Sequence, residues 1–386
     1  MKVAERIDTL PPYVFAKLGR RILDMKAQGK DIVRLDIGSP DLPPPDFVVD
    51  ALNHSLKVPA HHGYGGYYGK PELRGAMANY YQARFGVELD PENQVAPLIG
   101  SKEGIANVAF AFVDPGQVVL VPDPGYPTYS MGTILAGGRP FRMPLLEENG
   151  FLPDFESIPP EIARAARILW LNYPNNPTGA VASLEFFERA VGFARQNDLL
   201  VCHDNPYCDV VFDGYSAPSI LQVPGAMDVA LEFNSLSKTY NMAGWRVGMA
   251  VGSPVAVEAL ARTKTNIDSG IFVPIQDAAV VALTGDQSWL EERNSIYRER
   301  RDLILDALHE LGIQAAKSMA SLYIWAQVPA GYTSAEFATR LLEEASVSIT
   351  PGSAFGDHGE GYVRISLGMA TDRIREAMRR LRQLEL

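Results

Sequence analysis

Between about residues 95 and 285 the chain repeats one unit: a short apolar run ends on a polar or Gly/Pro-rich turn, and a helical pattern follows. The runs at 118–121, 168–171, 229–235 and 249–251, with those leading into Gly100 and Asp204, are β-prone, as strands buried between helices are. Alternating strand and helix predicts a doubly wound, mostly parallel α/β sheet, and such sheets bind ligands outside the carboxyl ends of their strands. Ser101, Tyr126, Asn176, Asp204, Ser235 and Lys238 all fall at those ends and are the first candidates for a site.

Lys238 is the sharpest of them. It lies just past a predicted strand, with Ser235 and Ser237 on the approach and Arg246 eight residues on. A lysine at a strand end is a candidate nucleophile, and the hydroxyls and fixed positive charge suit one small anion, most simply a phosphate. Gly100-Ser101-Lys102 precedes an apolar helical run at 105–113, so backbone N–H groups at that helix start, with Ser101 and Lys102, offer a second anion contact. The glycines of 61–81 match neither GxxxxGK[ST] nor the dinucleotide fingerprint, which makes a nucleotide loop improbable on spacing.

The pattern S-x-S-K-x(7)-R-x-G at 235–248 resembles the cofactor-lysine motif of fold-type I pyridoxal-phosphate enzymes, specifically the class I/II aminotransferases. Further strings extend the resemblance over nearly the whole chain: LIGSKEGIA, VPDPGYPTY, NYPNNPTGAV, a Y-x(4)-G-x-PELR block and NMAGWRVG. With LPPYVFAKL and KTNIDSGIF, they look most like the bacterial LL-diaminopimelate aminotransferases, while alanine aminotransferases share several of them. The resemblance implies a seven-stranded large domain at 46–287, a smaller α+β domain at 288–386, and an N-terminal arm at 1–45 that adds to the small domain.

It also implies roles. Lys238 would hold pyridoxal 5'-phosphate as a Schiff base and later move the substrate proton; Asp204 would pair with the ring nitrogen, and Tyr126 would stack on the ring. Asn176 and Tyr207 would contact the phenolic oxygen. Ser101, Lys102, Ser235, Ser237 and Arg246 would surround the phosphate, with Tyr64 reaching it from a partner subunit. The substrate carboxylate would meet Gly38, Asn176 and Arg364. Taken alone, Tyr64 reads as a packed loop aromatic, Asp204 as a turn or cap residue and Arg364 as a surface strand arginine. The implied reaction is ping-pong amino transfer between an amino acid and a 2-oxo acid, with diaminopimelate as donor, or alanine and aspartate. A C–S lyase would use the same lysine and aspartate. Lys102, Glu103 and Asn266 are polar groups placed to meet the distal end of a substrate.

Composition bounds the partners. With 46 acidic against 35 basic residues and a net charge of −11, the chain lacks the clustered cations that nucleic acid requires. No apolar run has membrane-spanning length, and the first residues carry acids and lack a signal-peptide core, so a cytoplasmic protein with no membrane partner is expected. The resemblance, through Tyr64, implies a homodimer with shared sites. Cys202 and Cys208 lack CxxC spacing and read as structural thiols. Two further features frame the site: a Pro-broken arm at Leu10, Pro11, Pro12 and Tyr13 leading to a helical pattern at Phe15, Leu18, Ile22 and Met25, and a long amphipathic helix at 288–311 bridging to strands at 322–328 and 362–367.

Overall fold

The computed structural model describes residues 1–10 and 14–384; Pro11, Pro12 and Tyr13 of the arm lie outside the described residues. Seven strands form the main sheet: β1 (Val95–Leu98), β2 (Val118–Asp123), β3 (Arg139–Pro144), β4 (Ala166–Leu171), β5 (Leu200–Asp204), β6 (Ala230–Ser235) and β7 (Gly248–Gly252). Their order is β1-β7-β6-β5-β4-β2-β3, with only β7 antiparallel to its neighbours. The expected doubly wound, mostly parallel sheet is the one observed.

Alternation along each strand separates two cores. Leu169 and Leu171 of β4 pack into one apolar cluster with Val201, Phe187 and Met77, whereas Ile168 and Trp170 point to the other with Cys202, Phe233 and Val108. Burial on both faces is why these strands are apolar runs without polar alternation. Because β1, β2, β4, β5 and β6 run the same way, Leu98, Asp123, Leu171, Asp204 and Ser235 end on one edge of the sheet.

A second body covers that edge. An antiparallel sheet joins Thr350–Pro351, Tyr362–Ser366 and Tyr323–Gln327, reached through the helix Trp289–Glu310. Val33–Arg34 pairs in parallel with Val347–Ser348, so the start of the chain is tied to its last third.

Three details differ from the sequence reading. The helix after β1 spans Ser101–Phe112 and so begins four residues before the apolar run, because Gly100, at φ 74°, turns the chain directly into it. The edge strand β3 was not predicted: its sequence, RPFRMP, has no apolar run, and its prolines fit only an edge position. Lys238, read only as lying just past a strand end, stands in a one-turn helix, Leu236–Thr239. Among the described residues no helix is long and apolar enough to cross a membrane.

Candidate active site

A cavity of about 400 Å³ opens where the carboxyl ends of the main sheet meet the second body. Ser101, Lys102, Tyr126, Asn176, Asp204, Tyr207, Ser235, Ser237, Lys238, Arg246, Gly38 and Arg364 all line it, drawn from segments up to 326 positions apart.

At its base, the hydroxyl of Ser235 caps the turn carrying Lys238 by accepting from the Ser237 amide at 3.2 Å. The Lys238 amine donates to the Gly38 carbonyl at 2.5 Å. Burial, with the charges of Arg364 and Arg246, pulls the pKa of this amine down to about 7, opposed by Asp204. An amine so placed exists in both protonation states near neutrality, which suits a group that both bonds and moves protons.

One end of the cavity is built for an anion. The Ser101–Phe112 helix opens toward it, and the amides of a first helical turn have no acceptor within their helix. Arg246 packs directly over Gly100: a Cβ there would fall 2.2 Å from its guanidinium and displace it, and the φ of 74° at this position favours glycine in any case. The same guanidinium donates to Ser237 Oγ at 3.3 Å and to the Ala243 carbonyl at 2.9 Å.

Asp204 ends β5 and is 5% exposed. Its Oδ2 accepts from the Tyr129 hydroxyl at 2.6 Å, and its Oδ1 is buried without a partner. Burial pushes this carboxyl up to about 6, against the lowering effects of Tyr129, His203 and Lys238. A buried carboxylate oxygen lacking a partner is costly, and a cationic N–H donor in the cavity would relieve it. Asn172 holds the backbone here, donating to the Asp204 carbonyl at 2.7 Å.

Opposite, Arg364 stands in the middle of Tyr362–Ser366 and is 4% exposed, not the surface strand arginine it resembles in isolation. It donates to Asn176 Oδ1 at 2.8 Å and to the Asp36 carbonyl at 2.9 Å, with its plane over the rings of Tyr323 and Phe355. Engaging Oδ1 turns the Asn176 amide nitrogen into the donor available to a ligand. Tyr207 and Tyr323 share a hydrogen bond of 2.9 Å between their hydroxyls, and Tyr323 also donates to the Gly38 carbonyl at 3.4 Å.

Tyr64 does not join this group within the chain: it is 91% exposed and outside the cavity. Neither Glu103 nor Asn266 lines it. Glu103 is turned back to the Ile99 amide and Asn107, and the Asn266 amide bonds the Arg262 carbonyl. Both thiols are buried and free, and burial pushes them up out of the reactive range.

The sequence profile of aminotransferase class I and II matches residues 30–381. This chain belongs to that family. Among relatives, the LL-diaminopimelate aminotransferase of Desulforudis audaxviator is 56% identical over 379 residues, covering 98% of this chain and 97% of the relative. That of Moorella thermoacetica is 52% identical over 384 residues, covering 100% and 98%. Among solved structures, substrate-bound BacF from Bacillus subtilis superposes with a TM-score of 0.95 at 37% identity, covering 99% of this chain and 98% of that one. A Thermus thermophilus aspartate aminotransferase mutant reaches 0.92 at 30% identity, covering 99% of each chain. An aminotransferase of this family is therefore the enzyme in hand, and its fold is the fold-type I arrangement.

Sequence reading of this aminotransferase missed Tyr129, Asn172 and Tyr323. Tyr129 follows Tyr126 by three residues, across the start of the Thr128–Leu135 helix, and the two rings meet edge-on with centroids 5.7 Å apart. That spacing was the one available signal. Tyr323 gave none, because it approaches from a strand more than 100 residues away.

Proposed function

We propose that the chain is a pyridoxal 5'-phosphate-dependent LL-diaminopimelate:2-oxoglutarate aminotransferase of lysine biosynthesis, acting as a cytoplasmic homodimer. The cofactor reading rests on Asp204: its unpartnered Oδ1 suits a protonated ring nitrogen, at a cavity that also holds a lysine amine and an anion-binding helix start. When bound, the cofactor supplies a carbonyl carbon that bonds amines and a ring that accepts the electrons of a broken Cα–H bond.

The chain's own groups do the rest. Arg246, Ser101, Ser235 and Ser237 hold the phosphate, with Lys102 beside them. Asp204 would keep a proton at the ring nitrogen, Tyr126 would cover the ring face, the Asn176 amide would donate to the ring oxygen, and Tyr207 would contact the same oxygen. Arg364 takes the α-carboxylate through the planar fork that suits it, beside Gly38. Lys238 would anchor the cofactor and, once displaced by the substrate amine, would take the proton from the substrate Cα and deliver it to the cofactor's former carbonyl carbon. Two half-reactions on one site make the kinetics ping-pong. The buried clusters on the two faces of the main sheet lie within 46–287, while a separate one joins Val33 and Leu35 to residues 297–381 and takes Tyr207, Val210 and Phe212 from the large body; they support a large body at 46–287 and a small one at 288–386 that shares 1–45. Tyr64, exposed and outside its own cavity, is read as a phosphate contact for the partner subunit.

The donor is read from full-length relatives at 56% and 52% identity, both LL-diaminopimelate aminotransferases. Broad transfer from alanine or aspartate is the second reading, favoured by the close superposition on an aspartate aminotransferase. The test is kcat/KM for LL-diaminopimelate, alanine and aspartate with 2-oxoglutarate as acceptor. A larger value for alanine or aspartate overturns the first reading, and pyruvate release from a sulfur amino acid in place of transfer indicates a lyase. Borohydride reduction and peptide mapping test the cofactor site, with the label expected on Lys238.

A further inference from the structure

A guanidinium outside the cavity holds the backbone that carries Lys238. Arg293, in the helix Trp289–Glu310, is 3% exposed, with its guanidinium 5.4 Å from the ring centre of Trp289. Its donors go to main-chain carbonyls: Lys238 at 3.0 Å, Thr239 at close range, and Asp209 at 2.5 Å. Asn294 fixes the plane, its Oδ1 accepting from Arg293 at 2.8 and 3.2 Å while its amide donates to the Asp209 carbonyl at 3.0 Å.

A helix of four residues cannot hold itself together, because nucleating one turn costs more than its single hydrogen bond returns. The turn Leu236–Thr239 therefore depends on what meets its ends. Ser235 caps the start, and at the far end the Lys238 and Thr239 carbonyls accept no main-chain hydrogen bond among the described residues and would be orphaned without a side-chain donor. A cation placed there also complements the negative end of the helix. The third contact is as informative as the first two: Asp209 lies on the segment leaving β5, just past Asp204 and Tyr207. One side chain thus ties the lysine turn and the aspartate segment to the helix Trp289–Glu310.

We propose that Arg293 is a positioning residue for Lys238, and that its fork, held by Asn294, sets where the amine stands against the cofactor. This rests on Lys238 being the cofactor lysine. Arg's planar fork reaches three carbonyls at once, and a lysine there keeps the charge but loses that geometry.

The experiment uses the cofactor-loaded enzyme with Arg293→Lys and Asn294→Ala. Both are expected to lower kcat, the first by about tenfold or more and the second by less, with KM for the amino donor unchanged within about twofold. The pH midpoint of the cofactor's visible absorbance should move in the same variants, and amide exchange across 236–239 should quicken in cofactor-free protein. A role in packing alone predicts lower melting temperature with kcat and midpoint unchanged, and that result overturns the proposal. If Arg293→Lys does not fold, Asn294→Ala decides by the same two readouts. Borohydride mapping of the wild type separates the failures: label away from Lys238 sinks the cofactor-site reading, whereas label on Lys238 with unaltered variants sinks only this one.

Discussion

The Tyr129 hydroxyl donates to Oδ2 of Asp204 at 2.6 Å and so leaves Oδ1 as the one oxygen of that carboxylate without a partner at the cavity wall. Tyr129 is itself fixed, stacked on Trp170 with ring centroids 4.7 Å apart, and burial beside Asp204 holds its phenol well above its ordinary pKa. It is a donor at any working pH, and the orientation of Asp204 follows from it.

Tyr129→Phe should keep the ring on Trp170 and delete only the hydroxyl. A hydrogen bond to a charged group contributes about 1.5–3 kcal/mol, so kcat should fall by about tenfold to a hundredfold with the fold unchanged. Stopped-flow rates of the first half-reaction, with circular dichroism as the control, check this. Wild-type rates would show that Asp204 orients itself.

Asp204→Asn should cut turnover by orders of magnitude, because an amide cannot hold the ring-nitrogen proton, yet the protein should still bind cofactor through the phosphate end. The substitution also has a stability signature in cofactor-free protein. The folded pKa of Asp204 is raised from 3.8 to about 6 by burial. The wild type therefore loses stability as pH rises between those values, with no penalty below the lower one and a constant penalty above the upper. The variant lacks this loss. At pH 8 it should be more stable than wild type by roughly 2–3 kcal/mol relative to their difference at pH 3.5. Urea titrations at both pH values measure the change, and a pH-independent difference would falsify the assigned shift.

Arg364→Lys should raise KM for the amino donor by about a hundredfold while leaving the cofactor spectrum intact, since it replaces a planar two-point contact by a point charge. It also withdraws the donor that turns Asn176. A KM unchanged for a donor with an α-carboxylate removes Arg364 from the substrate contact.

If Tyr64 serves the partner's phosphate, Lys238→Ala and a charged replacement at Tyr64 are each inactive alone but complement on mixing. Mixed dimers collect both lesions in one site and neither in the other, so random exchange should restore about a quarter of wild-type activity per site. Native mass spectrometry showing mixed dimers without returning activity defeats the shared-site reading.

The fold class was legible because a strand buried on both faces must be an apolar run, and the runs ending at Leu171, Asp204 and Ser235 carry that signature locally. The same strand ends marked Ser101, Asn176, Asp204 and Lys238, since a parallel sheet gathers its carboxyl ends on one edge. Tyr126 stood with those strand ends and Arg246 followed from its spacing to Lys238, while motif strings added Tyr207 and Arg364 by resemblance. Tertiary structure decided the rest. Whether Arg364 was a surface or a buried residue depended on a second body folding over the sheet edge, and no local pattern encodes that contact. The partners of Asp204, Lys238 and Tyr207 are Tyr129, Gly38 and Tyr323, at separations of 75, 200 and 116 residues. Hydrogen bonds are set by angles and distances of a few tenths of an ångström between such segments, so only the packed chain fixes which oxygen is satisfied and which is left for a ligand.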